Sequence, residues 1–210
     1  MVFRRILAIM AVLAALLGAR AEEAPRYAID VNLAAQAVTV YDADNHSAAG
    51  IVRQMVCSSG VPGTADETPC GEFTVKQHYP DERTEWYYIR KYQVYVQYVT
   101  RFNGPYLFHS IPYLEKDLAT VDQQARSLLG TPASHGCIRL RSEDAKWIAL
   151  NCPDGTPVTV RAGEADEALR AQLRMRAYLR EEWPSYETYR SASLTGGLAG
   201  AIEAQRVAED

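Results

Sequence analysis

At 210 residues, with 48% apolar and 23% charged side chains, the chain can build one ordinary domain with a sizeable core and has the balance of a soluble globular protein. Its formal charge of −4 argues against nucleic acid as a partner, because phosphate binding calls for a basic surface. With only four cysteines and four histidines, where they stand carries information.

The first 21 residues, "MVFRRILAIMAVLAALLGARA", hold Arg4 and Arg5, an apolar run from Ile6 to Leu17, and small residues at Ala19 and Ala21. This is the layout of a secretory signal peptide, with cleavage expected after Ala21 and an uncleaved anchor as the alternative. The run is shorter than the about 20 residues that a membrane span needs. No cysteine lies near the cleavage point, so no lipid anchor is expected. Losing Arg4, Arg5 and Arg20 would take the formal charge from −4 to −7. An exported protein, in periplasm or cell wall, meets an oxidising compartment in which cysteines can pair.

Apolar and polar residues then alternate through Ile29, Val31 and Leu33 and again at Val38 and Val40, with the turn-forming "DADNHSAAG" after them. Successive antiparallel strands are expected, with strand character resuming over residues 51–58. "GVPGTADETPCG" reads as a loop, punctuated by glycine and proline. "EFTVKQHY", "EWYYIR" and above all "QVYVQYVTRF" read as strands, and "PYLFHSI" as a short inner strand ending at Pro112. Many of the thirteen tyrosines fall between Tyr79 and Tyr113, which suits exposed aromatic faces of strands. Residues 113–129 suit a short helix or a surface excursion. A helix capped by Ser142 should follow, with Glu143 and Asp144 in its first turn and Ala145, Ile148 and Ala149 facing the core. "TPVTVRA" is a last strand, and residues 164–183 a charged helix packing through Ala168, Leu169, Leu173 and Leu179. The order implies a mainly-β core with a few decorating helices. It divides into a signal at 1–21, a domain at 26–162 and a C-terminal helical extension and tail at 163–210.

Residues 134–140 read "SHGCIRL" and carry the chemistry. A cysteine beside an imidazole and near a helix start has its thiolate favoured. Gly136 allows a sharp turn, and such a turn can aim successive N–H groups at one point, the geometry of an oxyanion hole. A thiol nucleophile also needs a base, usually distant in sequence. His109, closing the strand in "LFHSIP", and His135 are both candidates to serve Cys137. Zinc is the rival reading, with His109, His135, Cys137 and a further cysteine as ligands, but "HGC" lacks the spacing of most zinc sites. Zinc is not expected at this spacing.

"SHGCIRL" followed by "EDAKWI" and "GTPVTV", with "FHSIPY" and "CSSGVPGTADETPCGEFTV" upstream, resembles the signature of the L,D-transpeptidases of the YkuD type, with the motifs in that family's order. The resemblance spans about residues 27–160 and implies a β-sandwich or open-barrel core acting on peptidoglycan stem peptides. It implies Cys137 as nucleophile, His109 as general base oriented by the backbone carbonyl of Ser110, and N–H groups of Gly136 and Cys137 as the oxyanion hole. His135 and Ser134 would shape the turn and help hold substrate. Arg139 would meet a stem-peptide carboxylate or brace the site. The implied reaction cleaves terminal D-Ala from a tetrapeptide stem through a Cys137 thioester, with no metal or organic cofactor. The acyl group passes to an amine on a second stem, giving a 3→3 cross-link, or to a wall-attached protein, and carbapenems would acylate the same thiol. A carboxypeptidase using water instead, or a silent wall-binding module, is the alternative.

Two features depart from the shorter family members. Residues 110–133 separate His109 from the motif, so 113–129 is expected to form a lid or wall of the cleft. With Cys137 reserved for chemistry, Cys57, Cys70 and Cys152 remain, and one disulfide is expected as an option, Cys57–Cys152 or a pairing with Cys70; three buried thiols are the alternative. Trp86, Tyr87 and Tyr88 could stack on glycan or peptide, or simply pack in the sheet. His46 and His78 are expected at the surface.

Overall fold

A computed structural model describes residues 24–77 and 85–179. The expected signal peptide, His78 and the tail beyond residue 179 lie outside the described residues. Ten strands are described: β1 (Tyr27–Asn32), β2 (Ala37–Asp42), β3 (Ile51–Val56), β4 (Gly71–Thr74), β5 (Tyr87–Ile89), β6 (Val94–Val96), β7 (Thr100–Asn103), β8 (Tyr106–Ser110), β9 (Ile138–Leu140) and β10 (Pro157–Arg161). Three α-helices accompany them: α1 (Gln123–Ser127), α2 (Ser142–Asn151) and α3 (Glu167–Leu179). The fold is mainly β, as its alternating sequence implies.

One sheet has the order β3-β2-β1-β10-β4, with β10 parallel to β1 and antiparallel to β4. A second has the order β7-β8-β9, and β5 and β6 form a separate pair. Alternation decides what each face does. Ile29, Val31, Val38, Val40, Met55, Val158 and Val160 of the large sheet meet Phe102, Phe108, Ile138 and Leu140 of the small one in the main core, closed by Ala145 and Ile148 of α2. A second cluster joins Ala37 and Val56 to Ala125, Leu129, Leu173 and Ala177, seating α3 against the large sheet.

Three local readings change. The long strand expected in "QVYVQYVTRF" is broken into β6 and β7, because Tyr98 takes φ of 52° between them. Left-handed backbone at a tyrosine is costly and carries no composition signal. Ser142 is the first residue of α2 rather than its cap; Arg141 takes the cap position without a side-chain bond, and Ser142 Oγ lies 2.9 Å from the Tyr113 hydroxyl. In α3 the buried residues are Leu173 and Ala177 with Leu169 partly covered, while Ala168 is exposed. The stripe therefore runs 169, 173, 177, one helical turn apart each time. The side chain of Leu179 is outside what is described.

Of the two options for the remaining cysteines, the structure takes the reduced one. All four cysteines are thiols; Cys57 and Cys152 lie in the main core, and Cys70 is exposed. Cys57 and Cys152 serve as small apolar side chains, the role free cysteines commonly take.

Candidate active site

β8 and β9 run parallel, with His109 opposite Arg139 and Phe108 opposite Ile138. Because successive side chains point to opposite faces, Phe108, Ile138 and Leu140 enter the core while His109, Cys137 and Arg139 share the other face. That face opens into a cleft of about 490 Å³ whose lining includes His109, Ser134, His135, Cys137 and Arg139. One strand pairing thus brings residues 28 positions apart in the chain (109 and 137) to one site.

His109 is only 3% exposed. Its Nδ1 lies 2.6 Å from the carbonyl oxygen of Ser110. A carbonyl can only accept, so Nδ1 carries the proton and Nε2 keeps its lone pair. Ser110 is itself held: its Oγ donates to Ile111 O at 2.7 Å and accepts from Gln97 N–H at 2.8 Å. Burial pushes the imidazole down to about 3, helped by the Arg139 charge and opposed by the Ser110 carbonyl. Burial also raises the Cys137 thiol, against the lowering effects of a Leu107 backbone hydrogen bond and the charges of Arg139, Arg101 and Lys91. Both shifts favour the neutral forms, and the Cys137 Sγ lies 3.8 Å from Pro105 O, its acceptor.

The turn before β9 is tightly specified. Ser134 Oγ accepts from Gly136 N–H at 3.1 Å and donates to Cys137 O at 2.5 Å. Gly136 N–H, expected as one of two oxyanion donors, is thus turned to Ser134 instead. Gly136 has φ of 104°, and a Cβ there would stand 2.5 Å from the Tyr106 ring. Only glycine fits, sterically and conformationally. The segment after β3 cradles the motif from behind: Ser58 and Arg139 exchange backbone hydrogen bonds at 2.9 Å, and Ser59 O accepts from both Ala133 and Ser134 N–H at 2.9 Å. Buried Gln36 fixes Ser59 in turn, accepting its N–H at 2.8 Å.

Arg139 is half-buried and gives Nη1 to Ala133 O at 3.0 Å, so part of its fork braces the turn. His135 is exposed and stacks on Tyr92, with ring centroids 4.2 Å apart and planes at 20°. Tyr92, Lys91 and Asp66 join the cleft lining, and none was singled out from the sequence. Trp86, Tyr87 and Tyr88 do not line it: Trp86 packs edge-on against Tyr113, Tyr88 against Tyr95, and Tyr87 on the small cluster around Val96. His46 is exposed and stacks on Tyr41.

Residues 113–129 form a 3₁₀ turn (Leu118–Thr120) and α1. The wall they build is two-sided. Pro112 and Asp122, joined by an Asp122 N–H to Pro112 O bond of 2.9 Å, face the cleft. Ile111, Tyr113 and Val121 face a separate cavity of about 600 Å³. The larger cavity holds neither the thiol nor either cleft histidine, all of which line the smaller one.

The YkuD family, L,D-transpeptidase catalytic domain, matches residues 26–160. YciB of Bacillus subtilis (strain 168), whose name places it among the L,D-transpeptidases, is 38% identical over 135 residues, which is 63% of this chain and 64% of YciB. The chain thus spans just under two thirds of that relative. Among solved structures, a fused Zn-dependent amidase/peptidase/peptidoglycan-binding domain-containing protein of Clostridium acetobutylicum is 30% identical with a TM-score of 0.48, covering 71% of this chain and 59% of that one. An L,D-transpeptidase of Mycobacterium smegmatis is 22% identical with a TM-score of 0.49, covering 65% and 59%. With the family's domain matched over more than half its length, this chain belongs to the L,D-transpeptidase catalytic domain family.

Proposed function

We propose that the protein is an exported cysteine L,D-transpeptidase, working in periplasm or cell wall on peptidoglycan tetrapeptide stems. The observation that carries this reading is the shared cleft face of Cys137 and His109, with His109 Nδ1 locked on the Ser110 carbonyl. A locked tautomer leaves Nε2 as the base that a neutral thiol requires.

The reaction follows from those residues. As Cys137 Sγ bonds to the carbonyl carbon of the third stem residue, its proton passes to His109. The oxyanion that forms takes the Cys137 N–H as a donor. The carbon–nitrogen bond to terminal D-Ala then breaks, and the departing amine takes the proton back from the imidazolium. An amine from a second stem, or from a wall-attached protein, attacks the thioester, gives its proton to His109, and the thiol is restored. Burial of the imidazole makes the imidazolium short-lived, which favours rapid proton return to the leaving amine. The same thiol would be acylated by carbapenems, whose strained lactam carbonyl presents the same electrophile.

Incubation with disaccharide-tetrapeptide, followed by mass, tests the reading. A cross-linked dimer with loss of D-Ala is expected. Tripeptide alone would mean that water resolves the thioester, and no reaction would overturn the assignment.

A further inference from the structure

Thr68 lies in the glycine- and proline-rich loop, 1% exposed and outside the lining of the cleft. Its hydroxyl is used twice. Oγ1 accepts from Gly60 N–H at 2.8 Å and donates to Gly136 O at 2.8 Å. Gly60 in turn is bridged to Ser134, and a Cβ on it would strike Asp66 O at 1.9 Å and Gly136 Cα at 2.9 Å. The loop is therefore pressed against the back of the motif, and the Thr68 hydroxyl is the polar link across that contact.

A trans peptide holds its C=O and N–H on opposite sides. Drawing the Gly136 carbonyl toward Thr68 turns the N–H of the same peptide, that of Cys137, away from the loop. Gly136 itself gives this peptide little stiffness, because glycine rotates readily between backbone states. A flip would replace the donor by a carbonyl oxygen aimed at the developing negative charge. We propose that Thr68 is a positioning residue whose buried hydroxyl locks the Gly136–Cys137 peptide in the orientation that makes Cys137 N–H an oxyanion donor. The inference rests on Cys137 being an acyl-accepting thiol, but not on which acyl donor it uses.

The test separates oxyanion chemistry from thiol chemistry. Thr68→Val keeps the shape and removes the hydroxyl; Thr68→Ala is the second variant should valine pack badly. Acylation of Cys137 by p-nitrophenyl acetate passes through a tetrahedral oxyanion, whereas alkylation by iodoacetamide does not. Both are followed on the peptide containing Cys137. The expected result is a loss of about 10- to 100-fold in acylation rate, below the loss seen on deleting a donor outright, with alkylation unchanged and Thr68→Ser close to wild type. Wild-type acylation in both variants, or a parallel fall in alkylation, would overturn the proposal. Failure of the peptidoglycan reading would look different: Cys137 would be acetylated, yet no D-Ala would be released from disaccharide-tetrapeptide.

Discussion

His109 Nδ1 sits 2.6 Å from the carbonyl oxygen of Ser110, the next residue in its own strand. A backbone carbonyl cannot ionise, so it fixes the tautomer without adding charge. A carboxylate in that position would stabilise the imidazolium and raise its pKa. Here burial dominates and favours the neutral imidazole.

This arrangement predicts an unusual pH profile. An imidazole held near 3 keeps its base form well below the ordinary histidine value of 6.5, and a raised thiol keeps its proton beyond 9.0. On the proposed mechanism, the neutral thiol and neutral imidazole therefore both persist between those limits. Acylation of Cys137 by an activated ester should be flat from about pH 5 to about pH 8.5, with no acid limb near 6.5. A rate that falls by half at pH 6.5 would show that His109 titrates normally.

Gly136 is predicted to tolerate no side chain. Gly136→Ala meets both a left-handed φ of 104° and the Tyr106 ring at 2.5 Å. Strain and overpacking together should cost about 2–4 kcal/mol. Chemical denaturation measures this, and Tyr106→Ala in the same chain should return part of the loss.

Asp144 is 5% exposed and lies 2.6 Å from Arg53 and 3.9 Å from Arg141. It anchors the helix that follows the motif strand to the large sheet. Asp144→Ala takes a buried acidic partner from two cations and should destabilise the fold by about 3 kcal/mol or more. Thermal melting checks it, and Arg53→Ala, at a more exposed position, should cost less.

The cysteines predict a simple titration. Denatured without reductant, the protein should show four thiols. In the native state Cys70 should react first because it is exposed, whereas Cys57, buried and pushed up by desolvation, should be inert until unfolding. Two thiols instead of four would restore the disulfide.

How much of this was legible in the sequence follows from what each signal depends on. Alternation in β1, β2 and β10 and the order of the motifs are local properties, so the mainly-β core could be read directly, whereas the residues alone left His109 and His135 both open beside Cys137, and all three line the cleft. The break at Tyr98 could not, since a left-handed tyrosine looks like any strand tyrosine. Tyr92, Lys91 and Asp66 reach the cleft only through the tertiary path of their loops. Thr68 stood in a quoted stretch, but its partner Gly136 is 68 residues away and no spacing rule connects them. Between one disulfide and reduced thiols parity cannot decide, because a small core accepts buried thiols as readily as a bond; Cys57 and Cys152 take the thiol option.

The central claim is that Cys137 becomes acylated by a tetrapeptide stem with His109 as base. The most direct measurement is the intact mass of the protein after brief incubation with disaccharide-tetrapeptide, with the adduct located by peptide mapping. A thioester adduct of the stem minus D-Ala is expected on the Cys137 peptide, absent in Cys137→Ala and formed far more slowly in His109→Gln. Release of D-Ala by Cys137→Ala at the wild-type rate would contradict it.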